Sequence, residues 1–206
     1  MSATTHVVLR PLATSLPLGF LALTVATTAF AALQLTWIPA TDGRTIALGV
    51  LVLTVPLQLV ACLMGFLSRD PVAATGMGLL SGTWGGVCLA TLTSAPGALS
   101  DGLGVLVICA GIALLVPAAA ATAKLVPAAV ITLSAVRFIL TGIAEIDGGR
   151  GWMQTAAWVG LVLAIVSLYA ALALELEGSR SRTVLPLGRS GAALDVSEEP
   201  GVRSQL

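Results

Sequence analysis

One charged side chain lies deep inside an apolar run: Arg137, between Leu125 and Ile146. A guanidinium at the centre of a bilayer costs roughly 2.5–3.5 kcal/mol on insertion scales, so it must face protein or water. Two roles are open to it. It either snorkels outward or pairs with Glu145 or Asp147, or it attracts an anion within a path through the protein. Leu133, Arg137 and Thr141 recur every four residues and share a helix face, which favours the second role. Gln58 is the next candidate. Its amide lies in an apolar run, where it needs partners outside its own helix, so it is either interhelical glue or a site residue. The remaining uncharged polar residues of the apolar runs include Thr24, Thr27, Thr28, Gln34, Thr54, Ser81, Thr83, Thr132, Ser134, Thr141 and Ser167. Their Ser and Thr hydroxyls can bond their own helix backbone and so need no function.

Other chemistry is missing from the sequence. There is no Ser-His-Asp set, no HExxH, no phosphate-binding loop and no pair of intramembrane carboxylates, so no enzymatic role is expected. Cys62, Cys88 and Cys109 fall inside apolar runs at spacings that match no metal motif, and neither a metal nor a cofactor is implied. His6, the single histidine, has no neighbouring partner. The net charge of zero leaves no electrostatic footprint for nucleic acid. What remains is a channel, a secondary transporter, or a membrane protein without transport.

The elements that must position these residues are membrane spans. Of the 206 residues, 57% are hydrophobic and 10% charged, where a soluble domain carries about 25% charge. Mean hydropathy is +1.00. The expected architecture is an all-α polytopic membrane protein with six transmembrane helices. No residue from Leu18 to Ile38 is charged, about the 20 residues that cross a bilayer core. Pro17 sits where a first helical turn tolerates proline. Ala29-Phe30-Ala31 also fits a signal-peptide cleavage site, but the run continues past it to Ile38. Further spans are expected over about 45–67, 72–93, 104–120, 125–146 and 153–174. Pro117 should kink or end the fourth. The organisation is then a segment 1–15, a membrane domain 16–176 and a polar tail 177–206 that is largely disordered beyond Arg182–Gly188.

An even number of spans puts both termini on one side. Arg10, Arg69, Lys124, Arg180, Arg182, Arg189 and Arg203 share that side, against Arg44 and Arg150 on the other. The positive-inside rule makes the first side cytoplasmic, in a plasma (inner) membrane, and puts Trp37 and Trp152 in an outer aromatic belt. Ala74, Gly78, Gly82, Gly86 and Ala90 place a small-residue stripe on the third helix, a signal for close packing.

Several of these residues match a known pattern. Pro17-Leu18-Gly19 stands where the acetate/succinate uptake transporter family (the YaaH-like and SatP-like membrane proteins) carries Asn-Pro-Ala-Pro-Leu-Gly-Leu-x-x-Phe. Gln58 and Ala61 resemble its Gln-x-x-Ala, with Gly65 where an acidic residue is usual. Trp158-Val159-Gly160, then Tyr169, then Arg182-Thr183-Val184-Leu185-Pro186-Leu187-Gly188 resemble its Gly-Trp-Ile-Gly, Tyr and Arg-Thr-Val-Leu-Pro-Ile-Gly elements in order and spacing. The resemblance covers about residues 14–188. It implies a hexamer with one path per protomer for small carboxylates such as acetate and succinate, in contact with membrane lipid, and suggests coupling to a proton. It also implies a constriction of Phe, Tyr and Leu, which here fall on Leu23, Ser81 and Leu133. These lie about five to nine residues from the same ends of their spans, roughly 8–14 Å deep at 1.5 Å per residue, and so share a level. Leu23, Thr27 and Phe30 would form the pore face of the first helix. Replacing both aromatics leaves a wider gate and a weaker dewetting barrier. A channel for a neutral solute such as urea, an amide or ammonia is the alternative, and the surroundings of Arg137 discriminate. If the ring is the gate, Ser81→Tyr combined with Leu23→Phe should narrow substrate selectivity in an uptake assay; unchanged transport would place the gate elsewhere.

Overall fold

The computed structural model describes residues 13–180, 182–190 and 194. His6, Arg10 and Arg203, most of the segment 1–15 and the tail beyond 190 apart from Leu194 lie outside the described residues. Six helices follow in order: α1 Leu16–Gln34, α2 Gly43–Leu67, α3 Pro71–Thr93, α4 Asp101–Ala120, α5 Leu125–Asp147 and α6 Arg150–Arg180, with a 3-10 turn at Ala40–Asp42 before α2. All are long and apolar enough to cross a membrane. The protein is an all-α, multi-pass membrane protein. Each helix packs on its neighbours in the chain, and α6 closes back on α1, so the six form a ring. One end of the ring carries both termini; the other, here the distal end, carries the α1–α2, α3–α4 and α5–α6 connections.

Local chemistry sets the helix ends. Pro17 and Pro71 occupy first turns. The Asp70 carboxylate accepts from the Ala73 N–H at 2.9 Å, and the Ser100 hydroxyl accepts from Leu103 N–H at 3.2 Å. Those caps satisfy backbone donors that no helical carbonyl can reach. Ser100 capping explains why α4 starts at Asp101, before the expected Gly104. Pro117 lies in the last turn of α4 and ends the helix at Ala120. Inside the spans, Thr83, Thr132 and Ser134 donate to carbonyls one turn back in their own helices, as expected for solitary hydroxyls.

The small-residue stripe of α3 divides between two neighbours. Ala74 backs onto Gly65 of α2, where an added Cβ would lie 2.6 Å from the Ala74 nitrogen, whereas Gly86 faces Leu106 of α4 and Gly82 faces open space. An equally close approach joins α4 and α5: a Cβ on Gly142 would sit 2.5 Å from the Gly104 carbonyl oxygen, and one on Gly104 2.8 Å from the Gly142 carbonyl oxygen. In lipid, where apolar burial gives little drive, such close approach supplies dispersion contact between helices.

The chain after α6 is part of the fold. The carbonyls of Gly188 and Leu187 accept from the N–H groups of Leu125 and Val126, both at 3.1 Å, and Ser190 N–H donates to the Ala123 carbonyl at 3.0 Å. These bonds cap the start of α5. Gly188 has φ +65, and a Cβ there would lie 2.8 Å from the Leu125 Cβ, so both backbone conformation and space demand glycine. Leu187 is buried in the core cluster, Tyr169 donates its hydroxyl to the Pro186 carbonyl at 2.8 Å, and Thr183 donates to Glu177 at 3.1 Å. Arg189 forms an ion pair with Glu177, both side chains almost fully buried. That pairing lets α6 run to Arg180, four residues past the expected boundary at 176. Removing one partner of a buried pair typically costs about 3–5 kcal/mol. Glu177→Ala should therefore lower the thermal unfolding temperature in detergent and expose the 182–190 segment to protease; an unchanged cleavage pattern would show that the segment is held by Leu187 and Tyr169 alone.

Candidate functional site

Arg137 turns into the ring. It is 2% exposed, and its guanidinium donates to the Thr27 carbonyl of α1 at 2.8 Å and, at 3.4 Å, to the Gln34 side-chain oxygen. The Thr27 hydroxyl donates onward to the Gly160 carbonyl of α6 at 3.2 Å, so one arginine ties α5, α1 and α6 together. Thr27 can serve both because a backbone carbonyl has a second lone pair beyond its helical bond. Gly160 is the seat: a Cβ there would collide with the guanidinium nitrogens and carbon. The pairing with Glu145 or Asp147, one of the two roles open to it, does not form. Glu145 lies two turns along α5 and accepts instead from the Ser100 N–H at 3.0 Å. Among the described residues no carboxylate forms an ion pair with Arg137.

The guanidinium carbon lies 5.5 Å from the ring centroid of Trp84 on α3, within the range of a cation–π contact. Trp84 packs between Phe30 of α1, at 5.3 Å between centroids, and Phe138 of α5, at 5.5 Å. These three aromatics come from the same three helices as Leu23, Ser81 and Leu133, one to two turns further toward the distal end. The aromatics that the constriction lacks at Leu23 and Ser81 reappear at a different level. Above them opens a cavity of about 350 Å³ lined at its base by Phe30, Gln34, Val87 and Thr141, and at its rim by Arg44, Arg150 and Glu145. The same four basal residues also line a pocket of about 20 Å³ completed by Trp84, Arg137 and Phe138, enough for one water. The small pocket thus adjoins the vestibule across these four residues.

The other sequence candidates divide. Thr27, Phe30, Arg137 and Thr141 meet here. Leu23 is fully buried in the core and Leu133 packs partly buried against it. Ser81 donates across to the Val55 carbonyl of α2 at 2.9 Å. None of these three lines either cavity. Gln58 is completely buried, and neither amide atom has a partner among the described residues. Of the motif residues, Pro17 begins α1, Leu18 is at its surface, Gly19 makes room for the Met77 thioether, Trp158 meets Trp37 edge to face at 6.3 Å, and Tyr169, Pro186 and Gly188 hold the terminal segment, on which Arg182 is exposed. Sequence reasoning missed Trp84, Phe138 and the seat at Gly160. A tryptophan at mid-span, away from any interface, was the signal for Trp84.

A closed ring of six membrane-spanning helices around a vestibule with an arginine beside its base defines a multi-pass membrane protein built to pass or bind a small solute. The chain is similar to a solved structure described as that of the bacterial acetate channel SatP, with a TM-score of 0.74 and 25% identity, over 86% of this chain and 99% of that one. This likeness supports the acetate/succinate uptake transporter family and a channel or transport role. No protein-family model and no curated protein matches the sequence.

Because the guanidinium is stacked, bonded and enclosed, a methyl at position 160 should force it off the Thr27 carbonyl, costing about 1.5–3 kcal/mol for a hydrogen bond to a charged group. Gly160→Ala should lower the unfolding temperature accordingly, whereas Gly151→Ala, where a Cβ meets nothing within 4 Å, should not. Equal melting of the two variants would show that Arg137 has a second seat.

Proposed function

We propose that the protein carries small carboxylates of the acetate class across the plasma membrane, with its termini in the cytoplasm and the vestibule facing outward. The observation that carries this reading is the likeness to an acetate channel over nearly the whole length of that protein. The surroundings of Arg137 favour it over a neutral-solute channel. An arginine neutralised by Glu145 would suit urea or ammonia, but this guanidinium keeps its charge beside a vestibule whose rim also holds Arg44 and Arg150. Two of the three charged residues at the rim are cationic, Glu145 being the third, and an excess of one sign of charge concentrates the opposite ion. Leu23, Ser81 and Leu133, with Gln58 on the path, form the cytoplasmic half of the route in this reading, and the aromatic trio of Phe30, Trp84 and Phe138 forms its narrow outer gate. A hexamer with one path per protomer, succinate as a further substrate and proton co-transport belong to the same reading. The positive-inside asymmetry supports the orientation.

Purified protein in proteoliposomes should take up labelled acetate faster than empty vesicles. Acceleration by an inward proton gradient would mark coupled movement, and an unaltered rate would mark a channel. Uptake no faster than in empty vesicles would sink the proposal, and uptake of labelled urea at the same rate as acetate would favour the neutral-solute alternative.

A further inference from the structure

We propose that Arg137, Trp84, Gln34 and Thr141 form a binding site for the carboxylate head of a small monocarboxylate, which acts as the exchangeable counterion of the buried guanidinium. The identity of the ligand rests on the carboxylate reading above; the presence of an anion site does not.

Charge balance comes first. Arg137 is 2% exposed, and no described carboxylate forms an ion pair with it. A buried charge without an opposite charge is strongly unfavourable, and the Thr27 carbonyl, the Gln34 oxygen and the Trp84 ring face supply only dipoles and a quadrupole. The opposite charge therefore comes from solution, through the vestibule that adjoins its pocket.

Donor geometry makes the same point. A guanidinium has five N–H donors. The bonds to Thr27 and Gln34 commit two of them, leaving donors in the planar fork that matches carboxylate oxygens. The indole nitrogen of Trp84 is a donor only, and it is buried with no partner among the described residues. Thr141 brings a hydroxyl and Gln34 an amide NH₂ to the same inner pocket. A set dominated by donors around one cation, the indole N–H among them buried and unpartnered, complements an acceptor-only anion. A carboxylate, with two oxygens and about four lone-pair sites, satisfies it better than a neutral amide, which brings donors of its own.

Size sets the ligand class. The inner pocket of about 20 Å³ admits no more than the head of a ligand, and Phe30, Trp84 and Phe138 close it toward the core. The four residues shared with the 350 Å³ vestibule form the neck through which a head enters while a short apolar tail stays behind. That shape suits a monocarboxylate with a one- or two-carbon tail.

The test uses full-length protein in nanodiscs with Trp37, Trp152 and Trp158 changed to Phe, leaving Trp84 as the only reporter. Acetate should change its emission saturably, and acetamide, the neutral isostere, should not. Calorimetry on the protein with all four tryptophans should show Arg137→Gln weakening acetate binding by tenfold or more, Arg137→Lys by less, and Trp84→Phe, which keeps a ring face but loses the N–H, by a few fold. Should Arg137→Gln fail to fold, Arg137→Lys and Trp84→Phe carry the comparison. Equal responses to acetate and acetamide would overturn the site, and so would undiminished acetate binding in these variants. Chloride competing as well as acetate would overturn the carboxylate assignment. Saturable acetate binding in protein that shows no uptake would uphold the site and remove the transport reading. Uptake without any binding at Trp84 would do the reverse.

Discussion

Everything around the centre of this molecule answers to one electrostatic demand: a guanidinium is held where hydrocarbon would otherwise surround it. The demand is met on four sides by residues of three helices, α1, α3 and α6. The Thr27 carbonyl accepts from it, Gln34 accepts at longer range, Trp84 offers its ring face, and Gly160 withholds a side chain so that the group fits. None of these carries a negative charge. The arrangement orients the cation and shields it from lipid without cancelling it. The small pocket that the cation lines shares four residues with the vestibule.

The ring architecture makes the arrangement possible. Helices that pack mainly on their chain neighbours, with α6 closing on α1, leave the inner faces of α1, α3 and α5 free to converge. The aromatic trio, the constriction positions carried onto Leu23, Ser81 and Leu133, and Arg137 all come from those three helices. The outer contacts are made by close approach of backbone, as between Gly104 and Gly142 or Gly65 and Ala74. Those contacts fix helix separation without using side chains that the interior needs.

Much of the fold was legible because length and charge are strong signals in a membrane protein. Six apolar runs of spanning length gave six helices, and Arg137 stood out as the one charge deep in a run. The errors came where a signal depended on a partner distant in sequence. Glu177 reads as the polar end of a span until Arg189 is folded back onto it. Glu145 reads as a partner for Arg137 because it is near in sequence and opposite in charge, yet two helical turns, about 11 Å of rise, separate them along α5. Phe138 is an apolar residue in an apolar span, so no contrast marks it, Trp84 is marked only by its place at mid-span, and the gap at Gly160 exists only because Arg137 arrives from another helix. A site assembled from four helices leaves each of its parts looking ordinary in its own segment.

The terminal segment carries a consequence for the order in which the protein is made. The carbonyls that complete the first turn of α5 belong to Leu187 and Gly188, which leave the ribosome only after all of α6. While the nascent chain is being inserted, the helix that bears Arg137 therefore begins with two unsatisfied backbone donors, Leu125 and Val126, and proline at position 127 has none to satisfy. The last-made residues close that end. Assembly of α5 into its final register is in this way coupled to completion of synthesis, and a chain cut short before residue 187 would present the ring with its arginine helix unfinished.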